Sequence, residues 1–187
     1  MENLHARRPD GAPAMPPLVR VWDLPVRLFH WLMALCFAGA YLTSELDDWR
    51  WLHVAFGYTM AALVGLRIVW GAVGTHHARF SSFVRGPRAV LAYLRSLLGG
   101  RPQHFTGHNP AGAVAIMLML AIALLLTGSG WLLYTERAGE WMEEVHEAIA
   151  TVMLAVVLVH IAGVLVASLL HRENLVKAMI TGRKRGN

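Results

Sequence analysis

The chain of 187 residues is 56% hydrophobic and only 16% charged, a composition typical of integral membrane proteins rather than of soluble or disordered chains. Its formal net charge of +5 could suggest nucleic-acid binding, but the basic residues follow a membrane topology, so no nucleic-acid partner is expected. The single cysteine, Cys36, excludes a disulfide within the chain, and no C-x-x-C-H motif is present.

Four apolar stretches are each long enough to cross about 30 Å of hydrocarbon as a helix. They predict an all-α membrane protein, a four-transmembrane-helix bundle with helices over about 26–44, 51–73, 111–134 and 145–170. The Pro- and Ala-rich residues 1–17 are expected to form a flexible cytoplasmic tail. The membrane domain then covers 18–175, and a basic cytoplasmic tail over 176–187 follows it. Because the first stretch starts late and lacks a small-residue cleavage site, we expect no cleavable signal peptide.

The long connection between the second and third spans contains an amphipathic pattern. Pro87 can occupy a first helical turn, and Gly99-Gly100 can end the helix. Between them the apolar residues share one face; they are Val90, Leu91, Leu94, Leu97 and Leu98. The pattern predicts a helix lying in the inner membrane interface, with a docking helix for a cytosolic partner as the alternative.

Arginine and lysine residues predict the orientation of the spans. They are concentrated before the first span, in the connection between spans two and three, and after the fourth span, whereas the two short loops are acidic. Because cytoplasmic loops carry an excess of positive residues, both termini are expected in the cytoplasm.

Four histidines lie inside the predicted spans, two at one depth in the membrane and two at another. His146 and His160 are fourteen residues apart, which returns a helix to within about 40° of the same face after about 21 Å of rise. With the predicted orientation, His53 and His146 form an outer pair, and His30 and His160 form an inner pair. An imidazole inside a membrane is costly unless something binds it, so the set suggests two metal centres. A single histidine would more simply be a satisfied polar residue of the bundle core.

The ligand count favours haem b over zinc. Zinc sites usually take four protein ligands, whereas each level here offers two imidazoles, and a porphyrin supplies the other four nitrogens. Two arginines are candidates for binding the anionic haem propionates. Arg67 lies fourteen residues after His53, and Arg27 lies one turn before His30. Each could instead extend its charged end to the membrane surface.

At this point the sequence resembles the bacterial cytochrome b561 and nickel–iron hydrogenase b-type cytochrome family, which includes membrane subunits of some formate dehydrogenases. The resemblance covers nearly the whole chain. It rests on VWDLPVRLFHW (Val21–Trp31), WLHVAFGY (Trp51–Tyr58), LRIVWGAVGTHHARFSSFVRGP (Leu66–Pro87), GHNPAG (Gly107–Gly112), VHEAIA (Val145–Ala150) and LVHIAGVLVASLLHRENLVKAMITGRKR (Leu158–Arg185).

The resemblance implies two b haems with bis-histidine ligation by the four histidines above, and electron transfer between the quinone pool and a redox partner. That partner would be a cytochrome c, or a hydrogenase or dehydrogenase subunit. A quinone site is expected on the inner side, with His108, Asn109 and Arg67 as candidates. The same three residues, His108-Asn109-Pro110, equally fit a helix start with Asn109 as the cap.

Other functions fit the same residues. The protein could be a terminal oxidoreductase acting on superoxide, with quinone as acceptor, or on a ferric chelate. It could be a membrane anchor for a hydrogenase or dehydrogenase, or a histidine-based metal transporter, although the spans lack carboxylates. Besides lipid and quinone, a second copy of the chain is a further candidate partner.

Overall fold

The computed structural model describes residues 18–99, 103, 105 and 107–185. Its main elements are four long helices: α1 (Leu24–Thr43), α2 (Arg50–Val73), α5 (Pro110–Tyr134) and α6 (Trp141–Leu170). Three shorter helices accompany them: α3 (Phe80–Phe83), α4 (Pro87–Leu98) and α7 (Leu175–Thr181). A 3-10 turn, Asp47–Trp49, precedes α2, and two short strands, β1 (Leu18–Arg20) and β2 (Arg183–Arg185), lie at the ends.

The four predicted spans are confirmed, since the four long helices are each long and apolar enough to cross a membrane. Asp23 caps α1 by accepting a hydrogen bond from the Val26 amide at 2.9 Å. The α6 helix begins at Trp141, four residues earlier than predicted. Its first turn contains Glu143 and Glu144, whose negative charges suit the positive end of a helix dipole.

The bundle is built from two helical hairpins. The α1 helix packs on α2, α5 packs on α6, and α2 joins the hairpins by packing on α5. The buried core lies along this seam; it contains Cys36, Phe37, Met60, Val64, Leu120, Ile122, Ala123, Leu126 and Met153. Only 6% of the most apolar window of α6 is buried, against 28% for α1 and α5. The α6 helix is therefore the least buried of the four.

The predicted amphipathic helix is present as α4. It packs on α5, and its Tyr93 side chain is buried against the ring of Phe105 at 5.7 Å between centroids. The Leu91 and Leu94 side chains of the same helix are exposed. This helix therefore lies along the end of the bundle where α2 ends and α5 begins.

The C-terminal segment differs from the predicted basic tail, because residues 175–185 fold back onto the start of the domain. The β2 strand pairs antiparallel with β1, and Ala178 of α7 packs against Val21 and Trp22. Gly182 makes the turn between α7 and β2 with φ of 78°, a conformation that favours glycine. Its carbonyl accepts hydrogen bonds from the amides of Val21 and Trp22. The predicted flexible tail, residues 1–17, lies outside the described residues.

The buried Lys184 side chain attaches the same segment to the end of α6 and to the inner connection. Lys184 is 6% exposed, and its Nζ lies 3.5 Å from the Glu173 carboxylate. The same Nζ donates a hydrogen bond to the Phe105 carbonyl at 3.1 Å. Lys184 and Phe105 are 79 positions apart, so no local pattern could predict this contact.

Candidate cofactor sites

The outer pair comes together between α2 and α6. The ring centroids of His53 and His146 are 6.2 Å apart, with the ring planes at 71°. An iron bonded to one nitrogen of each ring at about 2.0 Å would hold the two centroids about 6 Å apart. The spacing therefore fits a single metal ion held between the two imidazoles.

Hydrogen bonds orient both outer rings in the manner expected of metal ligands. His53 Nδ1 donates to the Ala40 carbonyl at 2.8 Å, because a carbonyl can only accept. His146 Nδ1 lies 2.8 Å from Ser129 Oγ, and the Ser129 hydroxyl donates to the Leu126 carbonyl at 3.0 Å. Since its one proton is used there, Ser129 accepts from His146. Each ring therefore presents an unprotonated Nε2, the form that binds a metal.

Two glycines provide space around the outer pair. A side chain at Gly130 would come within 3.1 Å of His146 Cε1, so the imidazole lies directly against the backbone of α5. At Gly57, one turn after His53, no atom lies within 4 Å of where a Cβ would be. The open space beside the outer pair suits a flat macrocycle.

The inner pair has one member on α1, His30, and one on α6, His160. His30 Nδ1 is buried and has no hydrogen-bond partner within the described residues, and the ring meets Trp31 edge-on at 4.9 Å. A buried nitrogen without a partner is costly unless a ligand satisfies it, so this imidazole also fits a ligand-binding role.

Arg67 is buried within the protein, with only 4% of the residue exposed. Its Nη2 donates to the Ala78 carbonyl at 3.1 Å, and its guanidinium lies 4.8 Å from the centre of the Phe80 ring. Its Nη1 is buried and lacks a partner among the described residues. A buried cation with an unused donor fits an anionic ligand such as a carboxylate.

Arg27, the second arginine predicted to bind a haem propionate, contacts the C-terminal segment. Its guanidinium donates to the carbonyl of Met179 at 3.3 Å and to that of Ile180. These contacts hold α7 against the start of α1. The structure therefore uses Arg27 to attach the C-terminal segment, and the prediction that it binds a cofactor gains no support from these contacts.

His108 lies in an aromatic pocket at the start of α5, next to the inner level. Its ring centroid is 4.3 Å from that of Trp22 and 4.5 Å from that of Phe83, and its Nδ1 is buried without a partner in the described part of the chain. Burial, followed by the positive charges of Arg67, Lys184, His77 and His160, lowers the pKa of His108 to about 3. His108 is therefore neutral at physiological pH.

The next residue, Asn109, begins α5. Its side chain accepts a hydrogen bond from the Gly112 amide at 2.7 Å, and Pro110 follows at the first helical position. Asn109 therefore acts as the helix cap that one of the two sequence interpretations predicted.

His77 lies near the start of α5. Burial, together with the charges of His76 and Lys184, lowers the pKa of His77.

Sequence reasoning missed Ser129, which orients His146. The available signal was a hydroxyl inside an otherwise apolar span, although such hydroxyls often bond only within their own helix. Among the described residues, no three His, Cys, Asp or Glu side chains are placed to hold a metal ion together. A metal at either histidine pair would therefore need further ligands from a cofactor, as a porphyrin provides.

The family model for prokaryotic cytochrome b561 matches residues 21–182. The probable Ni/Fe-hydrogenase B-type cytochrome subunit of Rhizobium leguminosarum bv. viciae is 26% identical over 211 residues, covering 89% of this chain and 88% of that protein. A protein of the same description from Azotobacter chroococcum mcd 1 is 31% identical over 150 residues, covering 65% and 62%.

A third relative is the probable Ni/Fe-hydrogenase 1 B-type cytochrome subunit of Escherichia coli (strain K12), 26% identical over 145 residues, with 63% of this chain and 61% of that protein covered. No solved structure gives a significant match. The family match extends from the segment before α1 to the turn after α7, and so includes all four long helices. The chain therefore belongs to the prokaryotic cytochrome b561 family of multi-pass membrane proteins, which transfer electrons and carry haem b.

Proposed function

We propose that this protein carries electrons across the membrane through two b haems, one held by His53 and His146 and the other by His30 and His160. The observation that carries the proposal is the outer pair, whose ring centroids lie 6.2 Å apart and whose Nδ1 atoms are both engaged by acceptors. When bound, haem b supplies reversible one-electron chemistry.

The residues of the chain have distinct tasks in this proposal. The Ala40 carbonyl and the Ser129 hydroxyl keep the two outer imidazoles in the tautomer and orientation that ligation needs. At the inner level Arg67 would bind a propionate through its unused Nη1 and raise the affinity of the site for electrons. Because α6 contributes His146 and His160, about 21 Å apart by helix rise, one rigid helix sets the spacing between the two levels.

The electron donor and acceptor are proposed from the relatives. Those relatives are named as hydrogenase cytochrome subunits, so a hydrogenase or similar redox protein is the expected partner on one side. The quinone pool is the expected partner on the other. His108, whose buried Nδ1 lacks a partner among the described residues, is the candidate for a polar contact with a quinone near the inner level.

The placement in the cell follows from charge and from the relatives. We infer that both termini lie in the cytoplasm, because the connection from residue 74 to residue 110 contains five arginines and no acidic residue. We infer the bacterial inner membrane from the family resemblance and from the bacterial relatives. The turns that join α1 to α2 and α5 to α6 contain Asp47, Asp48 and Glu136 and would face the periplasm. The outer pair would then lie near the periplasmic side.

Haem content and single substitutions test the proposal. A pyridine haemochrome assay on the purified protein should give two b haems per chain. In reduced-minus-oxidised spectra, His53→Ala and His146→Ala should remove one component, and His30→Ala and His160→Ala the other. The exposed His76 provides a matched control, since His76→Ala should retain both.

Two results would contradict the proposal. Protein without haem would favour a role as a membrane anchor, in which the histidines are dispensable. Loss of the same spectral component in His53→Ala and His160→Ala would leave haem binding intact but show that the assigned pairs are wrong.

A further inference from the structure

A groove runs between α4 and the beginning of α5, away from the histidine pairs. It has a volume of about 400 Å³ and is lined by one charged and five apolar residues, namely Arg85, Pro87, Val90, Leu91, Leu94 and Val114. Leu91 is 48% exposed and Val114 is 49% exposed, so apolar surface is left uncovered along the whole groove. This lining suits an occupant that is mostly apolar and carries a charged group at one end.

The position of the groove indicates where that occupant comes from. Val114 lies in the second turn of α5, where this helix enters the apolar part of its span. The next residues on the same face of α5 are also exposed, Met117 to 38% and Leu118 to 46%. The groove is thus continuous with surface that faces lipid, and a long apolar chain can pass from one to the other without meeting water.

The charges around the groove select an anionic headgroup. Arg85 lies at the groove, with its guanidinium 5.6 Å from the centre of the Phe105 ring, and the exposed Arg88 follows in the first turn of α4. The connection from residue 74 to residue 110 has no acidic residue to neutralise them. The positive end of the α4 dipole lies at the same end and adds to the attraction for a phosphate.

We propose that this groove binds an anionic phospholipid of the surrounding bilayer, with an acyl chain on Leu91, Leu94 and Val114 and the phosphate at Arg85 and Arg88. Basic residues beside membrane helices attract anionic headgroups, and an amphipathic helix at the membrane surface provides the apolar contact. The lipid would fix α4 against α5 and so stabilise the inner end of the bundle. A soluble protein partner would not reach surface that continues into the span.

Native mass spectrometry of the full-length protein, purified in detergent and delipidated, tests the proposal. The probes are dioleoylphosphatidylglycerol and dioleoylphosphatidylcholine, which share acyl chains and differ in charge. The wild type should bind phosphatidylglycerol in preference. The double variant Arg85→Gln/Arg88→Gln should bind it more weakly, by roughly fivefold for each arginine removed. Arg79→Gln, which removes an exposed arginine of the same connection outside the groove, should bind it like the wild type.

A second variant examines the apolar part. Leu91→Gln should weaken binding of both lipids, because it places an amide against the acyl chain. Because these side chains are exposed in the free protein, the variants should keep the wild-type helical circular dichroism and elution volume. Equal binding of the two lipids, or equal phosphatidylglycerol binding by the double variant and Arg79→Gln, would overturn the proposal. A dimer mass that disappears in Leu91→Gln while lipid binding is unchanged would do the same and assign the groove to a second copy.

Discussion

Replacing Ser129 with alanine should loosen the outer haem while leaving the inner haem unaffected. The Ser129 hydroxyl lies 2.8 Å from His146 Nδ1 and is 6% exposed, so water cannot readily replace it. Leaving a buried N–H without an acceptor costs about 1–3 kcal/mol, which corresponds to a roughly 5- to 150-fold loss of affinity. Loss of an orienting partner of a ligating histidine typically lowers metal affinity about 10- to 100-fold, in the same range.

Haem transfer to excess apomyoglobin measures this effect, because reduced-minus-oxidised spectra follow the two haems separately. In Ser129→Ala the outer component should be lost about 10- to 100-fold faster than in the wild type. Thr127→Ala is the matched control: Thr127 lies on the same helix, and its hydroxyl donates only within that helix, to Ala123 at 2.8 Å and Leu124 at 3.3 Å. It should release haem at the wild-type rate.

Three results would refute this reasoning. Equal rates of haem loss in Ser129→Ala and Thr127→Ala would show that the hydroxyl does not support His146. Faster loss of the component that His30→Ala removes would mean that His146 belongs to the other site. A wild-type protein that carries only one haem would show that the two-site arrangement itself is wrong.

Three further predictions concern the inner end. Arg67→Leu removes a buried positive charge, so the midpoint potential of the inner haem should fall by on the order of tens of millivolts. Arg67→Lys keeps the charge and should retain most of the wild-type potential. An unchanged potential in Arg67→Leu would argue against a propionate contact. His108, whose pKa is lowered to about 3, binds a proton more readily when unfolded, so folding stability should fall as the pH drops from about 6.5 toward 3. His108→Phe should flatten that dependence in thermal unfolding across this range, and an identical slope would contradict it. In Gly182→Ala a Cβ would lie 2.6 Å from the Trp22 carbonyl at φ of 78°, so hydrogen exchange of residues 175–185 should rise, and unchanged exchange would contradict the fold-back.

The four spans could be predicted because a membrane helix is recognised from the composition of about 20 consecutive residues alone. The rest of the chain is not needed for that prediction. Most helix ends could also be predicted from capping residues and prolines in the local sequence. Asn109-Pro110 begins α5 by capping and by a proline in the first turn, where the structure places them. The start of α6 was the least accurate, because Glu143 and Glu144 look like loop residues unless their effect on the helix dipole is considered.

The folded C-terminal segment could not be predicted, since its contacts join residues that are far apart in sequence. Arg27 and the carbonyl of Met179 are 152 positions apart, and β1 pairs with a strand of three basic residues. Nothing in the local pattern of 183–185 indicates a strand, and basic residues at the end of a membrane protein usually indicate topology alone. The burial of Lys184 depends on Glu173 and on the Phe105 carbonyl, which only the tertiary structure brings together.

The two histidine pairs also differ in how far the local sequence determines their surroundings. The outer end is closed by short turns, so helix length and residue spacing suffice to place His53 and His146 at one level, and the structure brings their rings to 6.2 Å. The inner end is covered by long-range contacts. Arg67 is buried because the Ala78 carbonyl and the Phe80 ring cover it. Counting residues along the helix cannot predict these contacts. Substitutions that release these inner contacts should therefore disturb the inner site, while the outer site depends mainly on α2, α5 and α6.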